Sequence, residues 1–449
     1  MKTISKDELL TIAYNLKLAQ ELTNKLQFIE AINCYLSIVK LDENHTASWH
    51  HLAKLYELQS NLEAAVNCYQ KVIAIKPDYA IVYVQLAIAL RKQGKIQAAI
   101  DAYQAAIRLN PQQDFTVYLQ LADIYRQQAK LDEAIINYQQ AIQINPNLSP
   151  FVYVRLGDLL SQKGEEKQAI NYWQIASKNI AMTSHPNFVE KYWERGELRG
   201  PDFLIISPGR CGSTSLYNYL VQHPQVIPAI RKEIGFLTHQ PYNKNEKVYT
   251  AQFPPLPKDE IFITGEAGTG YWMNYPGERI KSYFPNIKLI IMMRNPVERA
   301  ISHYKSAVKV GREKRSLEEV IDVHLGALSN LERVFIDRKV QNWQEVKPGY
   351  FLRGLYIYFI HKWLSLFPRE NLLFLKSEDL FDSPESTMLK IIKFLNLPEY
   401  SLLKYENYNA SSQNYFAQIS DTQRQLISDF FQPHNQRLEE YLGIRFNWE

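Results

Sequence analysis

Phe203 to Leu220, FLIISPGRCGSTSLYNYL, is the stretch whose residue types and spacing best suit chemistry. Four apolar residues, Phe203 to Ile206, predict a short buried strand. The polar turn Ser207-Pro208-Gly209-Arg210-Cys211-Gly212 follows. Ser213-Thr214-Ser215 then opens an apolar-periodic run, Leu216, Tyr217 and Leu220, that predicts a helix. Together they make an anion cradle: free backbone N–H groups and the positive end of a helix face one point, and small residues let an oxyanion approach. The pattern is not the nucleotide-binding G-x-x-x-x-G-K-[ST]. Gly212 precedes Ser213, the cation Arg210 sits earlier in the turn, and the Lys that reaches a γ-phosphate is missing. On this stretch alone a plain strand–turn–helix connection is an equal alternative.

A second candidate lies in KLIIMMRNPVERAISHYKSA, Lys288 to Ala307. Lys288 to Met293 is a continuous apolar run suited to a buried parallel strand. Arg294 ends it, Asn295 is a good helix cap, and Pro296 suits the first helical position. Ser302 lies two turns into that helix. A strand-end Arg and a hydroxyl on the adjoining helix can bracket one phosphate, the Arg with a forked charged contact. The alternative is an ion pair of Arg294 with Glu298 or Glu266 and a surface Ser302.

The elements that position these residues follow. Ile261 to Thr264 is strand-like, Arg279 to Phe284 helical, Asn371 to Leu375 a further apolar strand, and Pro384 to Leu395 and Ser420 to Leu442 helical. Strands alternating with helices predict an α/β domain with a central parallel sheet, over residues 202–449, and such sheets bind ligands at the carboxyl ends of their strands. Residues 181–201 read as a linker, partly helical around Val189 to Arg195.

The first 180 residues are different. EAINCY from Glu30, EAAVNCYQ from Glu63, QAAIDAYQ from Gln97, DEAIINYQ from Asp132 and KQAINYWQ from Lys167 share an Ala, at Ala31, Ala65, Ala99, Ala134 and Ala169. The spacings are 34, 34, 35 and 35 residues. Each Ala is followed by an aromatic: Tyr35, Tyr69, Tyr103, Tyr138 and Trp173. Small residues let paired helices approach, and the aromatics fill the space against the next repeat. The pattern resembles the tetratricopeptide repeat, with about five copies. That resemblance implies an all-α solenoid with a groove for a protein or peptide ligand.

The chain has 449 residues and a net charge of +4, too small to argue for nucleic acid. Its three Cys do not suggest a disulfide framework, which predicts a reducing compartment. The start, MKTISKDELL, is unlike a signal peptide, and no apolar run reaches a membrane span. Cytoplasmic localisation is the expectation. His223, His239, His303 and His434 lack metal spacing, so they read as structural, with no metal site expected.

Taken together, Ser207 to Leu220, Arg231 to Leu237 and Leu289 to Tyr304 resemble the sulfotransferase superfamily, more narrowly the branch that includes heparan sulfate sulfotransferases. Arg353-Gly354-Leu355-Tyr356 and the run from Trp363 to Leu380 also look like family segments. The resemblance implies that the first turn, Arg210, Cys211, Gly212, Ser213, Thr214 and Ser215, binds the 5′-phosphosulfate of the donor PAPS (3′-phosphoadenosine 5′-phosphosulfate). It implies that Arg294 and Ser302 bind the 3′-phosphate. Arg231 to Leu237 looks like the family's K-E-x-x-F-F segment, which implies Glu233 as general base and Lys232 beside the reacting groups. Arg210 stands where relatives usually carry Lys, and it holds its proton too tightly to act as an acid, so its implied role is electrostatic.

Two departures stand out. Many relatives carry His or Gln at Gly235, and the Glu266 to Tyr271 loop, expected on the acceptor side, lacks the Lys of some heparan enzymes. The implied protein is a PAPS-dependent sulfotransferase for a hydroxyl or amine, carbohydrate-like in character, fused to a repeat array in a bacterial setting. The alternatives are a P-loop kinase-like enzyme, opposed by the missing G-K-[ST], and a repeat scaffold with an inactive sulfotransferase-like domain.

Overall fold

The computed structural model describes residues 4–112, 114–238, 245–274, 276–323, 349–402, 404–406 and 419–448. The chain divides into two compact units. One is Met1–Val152 with Asp158–Gly164; the other is Tyr153–Gly157 with Glu165–Glu449.

The first unit is a succession of antiparallel helix pairs: α1 (Lys6–Asn24) with α2 (Phe28–Leu41), α3 (Thr46–Leu58) with α4 (Leu62–Ile75), α5 (Ala80–Lys92) with α6 (Ile96–Leu109), and α7 (Phe115–Gln127) with α8 (Leu131–Ile144). Ala31, Ala65, Ala99 and Ala134 are fully buried, as are Tyr35, Tyr69, Tyr103 and Tyr138 one turn later. Tyr69 donates to Glu57 Oε2 at 2.6 Å and Tyr138 to Asp123 Oδ1 at 2.5 Å, so these phenols fill space and tie the two helices of a repeat. The turn inside each pair needs one left-handed residue. Leu26, Ser60, Gly94, Ala129 and Gly164 supply it, with φ between 57° and 87°. Three of these are not glycine, so the period was visible in the Ala and Tyr positions and hidden in the turns. Helix α9 (Pro150–Lys163) follows.

The second unit begins with α10 (Glu166–Ser184) and α11 (Pro186–Tyr192). A Cβ at Gly157 would lie 2.5 Å from Trp173 Nε1, which is why a glycine faces the aromatic of the last repeat. Gln174 on α10 donates to the carbonyls of Ala251 and Phe253 at 2.6 and 3.1 Å, and Asn245 donates to Glu166 at 2.6 Å. Ala181, Phe188, Val189 and Trp193 share a small core with Ile227 and Leu256.

The rest is a three-layer α/β arrangement: β1 (Phe203–Ile206), α12 (Ser213–Leu220), α13 (Glu246–Thr250), β2 (Gly265–Gly268), α14 (Gly270–Asn274), α15 (Gly277–Tyr283), β3 (Lys288–Met293), α16 (Pro296–Lys309), α17 (Tyr356–Leu366), β4 (Leu372–Lys376), α18 (Ser377–Asp382), α19 (Pro384–Phe394) and α20 (Asp421–Leu442). The sheet is parallel throughout, in the order β2-β1-β3-β4. Alternate residues of β1 and β3 enter opposite cores. Leu204, Ile206, Leu289 and Ile291 face one, with α17 and α20; Phe203, Ile205, Ile290 and Met292 face the other, with α12 and α19.

One strand differs from expectation. Ile261 to Thr264 holds only an isolated bridge, Val226 to Ile263, and the strand is the GEAG segment that follows. A Cβ at Gly265 would stand 2.4 Å from the Phe203 carbonyl oxygen, so close pairing with β1 selects a residue that strand propensity disfavours.

Candidate active site at the carboxyl ends of the sheet

Each strand delivers one part of the site from its carboxyl end. After β1 the chain makes a turn in which Gly209, Arg210 and Gly212 have φ of 84°, 64° and 81°. A Cβ at Gly212 would lie 3.0 Å from the Phe381 ring, which gives a second reason for that glycine. Helix α12 starts at Ser213, so its first N–H groups have no partner within the helix. Ser207 Oγ donates to Ser213 Oγ at 3.2 Å, linking the strand end to the helix start. Thr214 is half-buried and Ser215 buried. The Cys211 thiol is buried in the core beneath α12, which pushes it up to about 12, and it donates to the Gly209 carbonyl at 3.5 Å.

After β3 the expected cap forms. Asn295 Oδ1 accepts from the N–H groups of Val297 and Glu298, and Pro296 opens α16. Arg294 Nη1 donates to the Arg210 carbonyl at 3.3 Å, and Arg210 Nε donates to Ser302 Oγ at 3.1 Å. The two candidate anion sites therefore meet. Arg294 pairs with neither suggested carboxylate: Glu298 is bonded by Arg424, and Glu266 by tyrosines.

After β2 comes Thr269. Its N–H and hydroxyl donate to Glu233 Oε1 at 2.8 and 3.1 Å. Lys232 Nζ stands 3.9 Å from Glu233 Oε2 and donates to the Ala267 carbonyl at 3.3 Å. Burial lowers the Lys232 ammonium below its ordinary range, with Glu233 and Glu266 opposing that shift. The segment is pinned from below by Glu266, fully buried on β2. Its carboxylate accepts from Ile234 N–H at 2.8 Å, from Tyr249 at 2.5 Å and from Tyr271. Burial raises the Glu266 pKa against the pull of these donors. Gly235 adopts φ 76°, the left-handed region that glycine enters at least cost.

After β4 comes a residue the motif reading left without a role. Ser377 Oγ lies 2.6 Å from the Cys211 carbonyl and 3.0 Å from the Met293 carbonyl, joining the cradle turn to the end of β3. Glu378 accepts from Asn295 N–H at 2.8 Å, and Tyr356 donates to the Arg294 carbonyl at 2.7 Å. The signal was available: Ser377 follows the apolar run that ends at Leu375 by two residues.

The electrostatics are one-sided. Among the described residues no carboxylate pairs with Arg210, Arg294, Arg299 or Arg353. Burial lowers Arg210, helped by the nearby Arg294 charge. His303, read from sequence as structural, sits in this field. Burial, then Arg299, Arg353 and Arg210, lower it to about 3, and its Nδ1 is buried without a partner. In the unfolded chain this imidazole takes a proton near its ordinary 6.5. Its contribution to stability is therefore complete above that pH and is lost as pH falls toward 3. Denaturant titrations between pH 4 and 7 are expected to show a shallower acid loss for His303→Gln than for wild type. His223 and His434 are buried against structural partners, His223 with Gln225 N–H and the Pro398 carbonyl, His434 with Tyr358. His239 lies outside the described residues. The described residues contain no His, Cys, Asp or Glu cluster able to hold a metal ion.

A sulfotransferase domain family model matches residues 200–437, just over half of the chain. The chain belongs to the sulfotransferase domain family. Tetratricopeptide repeat models match residues 45–112 and 84–149 in the helical unit. The bifunctional heparan sulfate N-deacetylase/N-sulfotransferase 1 of Caenorhabditis elegans is 27% identical over 217 residues, 47% of this chain and 24% of that protein. Human carbohydrate sulfotransferase 15 is 25% identical over 310 residues, 56% of this chain and 54% of its own. The chain thus spans about a quarter to a half of these relatives. Among solved structures, a sulfotransferase from Alicyclobacillus acidocaldarius aligns with 55% of this chain and 98% of its own at 24% identity and a TM-score of 0.41. MamA aligns with 38% of this chain and 93% of its own at 26% identity and a TM-score of 0.36. The sulfotransferase domain model covers the parallel sheet and the strand ends described above, and the repeat models fall within the helical solenoid.

Proposed function

We propose that this chain is a PAPS-dependent sulfotransferase acting on a hydroxyl or amine of a carbohydrate-like acceptor, with the repeat groove binding a protein or peptide partner. The observation that carries this reading is the set of guanidinium groups gathered at the carboxyl ends of β1 and β3 with no carboxylate among the described residues to neutralise them, beside a carboxylate and an ammonium held at the end of β2. A donor anionic at two positions supplies the missing negative charge. The cradle N–H groups from Gly212 to Ser215, with the hydroxyls of Ser213 and Thr214, hold the 5′ end. Arg294 and Ser302 hold the 3′-phosphate.

In the transfer, Glu233 takes the proton of the acceptor. The acceptor's oxygen or nitrogen forms a bond to sulfur while the sulfur–oxygen bond to the donor's 5′-phosphate breaks. That bond's electron pair leaves on the phosphate, and 3′-phosphoadenosine 5′-phosphate (PAP) departs. Arg210 and Lys232 offset the negative charge on the oxygens around the reacting centre, where fixed charges outperform water. No metal ion enters this scheme. The free cysteines Cys34, Cys68 and Cys211 suit a reducing cytoplasm. Calorimetry of the wild-type protein is expected to give clear PAP binding, much weaker AMP binding, and no preference for ATP with magnesium. A preference for ATP with magnesium overturns the assignment in favour of a kinase-like enzyme.

A further inference from the structure

Arg353 lies in the short 3-10 turn Leu352–Gly354, ahead of α17, and no contact described so far gives it a part in the transfer. Its position is informative. A Cβ built on Gly209 would stand 3.7 Å from Thr269 Cγ2 and 3.9 Å from Arg353 Nη1, so both side chains lie against the cradle turn at Gly209. Thr269 is the residue whose hydroxyl donates to Glu233 at 3.1 Å. Arg353 therefore reaches the cradle at the residue that also touches the partner of the general base. Arg210, by contrast, directs its Nε to Ser302, on the side of the 3′-phosphate site.

Among the described residues no carboxylate gives Arg353 an internal counter-charge. Its Nε is closed off from solvent and has no partner. Behind it Arg299 is fully buried, with Nε and Nη1 unpaired and only Nη2 donating, to the Tyr350 carbonyl. Burial, reinforced by the like charge of Arg299, lowers Arg353 to about 10, still a cation at neutral pH. A half-buried guanidinium without a carboxylate is costly unless an anion arrives with a ligand.

We propose that Arg353 is a catalytic residue of this site: its guanidinium holds the sulfuryl oxygens while the group passes from the donor phosphate to the acceptor activated by Glu233. The inference rests on the sulfotransferase reading. The transfer is the one written above: one bond to sulfur forms, one breaks, the acceptor proton goes to Glu233, and nothing is oxidised or reduced. Arg353 adds a fixed positive charge where sulfuryl oxygens pass, so its effect concentrates on ligands that carry that group.

The test compares PAP with PAPS on wild type, Arg353→Ala and Arg353→Lys, without an acceptor. Binding is measured by calorimetry, and slow release of inorganic sulfate from PAPS is followed alongside. Failure of wild type to bind PAP overturns the sulfotransferase reading and this inference with it. Given wild-type binding, Arg353→Ala is expected to weaken PAPS by about tenfold or more, to leave PAP within about threefold, and to slow sulfate release by roughly a hundredfold. Arg353→Lys is expected to recover part of both losses. Equal weakening of PAP and PAPS, or no change in either, overturns the role of Arg353 while leaving the sulfotransferase reading intact. If the Ala variant does not fold, the same comparison on the Lys variant decides.

Discussion

Glu233→Gln is expected to lower sulfuryl transfer by roughly a thousandfold while leaving PAP binding within about threefold of wild type. The substitution keeps an oxygen that can accept from Thr269 N–H, now 2.8 Å from Oε1, so the loop loses little of its anchoring. What it removes is the group able to take the acceptor proton. The loss should therefore appear in kcat, with KM for the donor nearly unchanged. Steady-state kinetics on any acceptor that turns over, paired with PAP calorimetry, checks this. Comparable rates in the two proteins would sink the assignment of Glu233 as base. A simultaneous loss of PAP affinity would point to a collapsed loop.

Arg294→Ala carries the second large effect. A charged hydrogen bond to phosphate is worth about 1.5–3 kcal/mol, so PAP affinity should fall by roughly tenfold to a hundredfold. AMP lacks the 3′-phosphate, and its weak binding should barely change. The discrimination between PAP and AMP should collapse in the variant. Arg294→Lys retains charge without the fork and should fall between the two. The backbone around Arg294 is held independently by Tyr356 and Ser377, so the loss should not come with a large change in melting temperature. If PAP and AMP weaken in parallel, Arg294 does not read the 3′ position.

The legible parts of this site were those whose local sequence agrees with the fold. Phe203 to Ile206 and Lys288 to Met293 are apolar runs, and they are strands. Asn295 and Pro296 announce a helix start, and α16 begins there. β2 was misplaced because Gly265 is selected by the closeness of β1 and Gly268 by the Tyr271 ring, which a single segment does not display. The setting of His303 was only partly visible, because Arg299 lies one turn away on α16 while Arg353 and Arg210 come from elsewhere in the chain. The burial of the Cys211 thiol beneath α12 is likewise a product of folding that the turn sequence does not display. Glu266 fell inside a segment read as an acceptor-side loop; its part in fixing the segment bearing Lys232 and Glu233 was hidden because its partners, Tyr249, Tyr271 and Ile234, are gathered by folding.

The bonds from Gln174 to Ala251 and Phe253, and from Asn245 to Glu166, bear on how this protein can be cut. Helix α10 closes the repeat array in sequence, yet it satisfies carbonyls of the catalytic unit and shares an apolar cluster with it. A catalytic fragment starting at the first strand would leave those carbonyls and that cluster facing water. Expression of the enzyme alone should therefore begin ahead of α10, and the helix behaves as a lid of the catalytic fold borrowed from the repeat pattern.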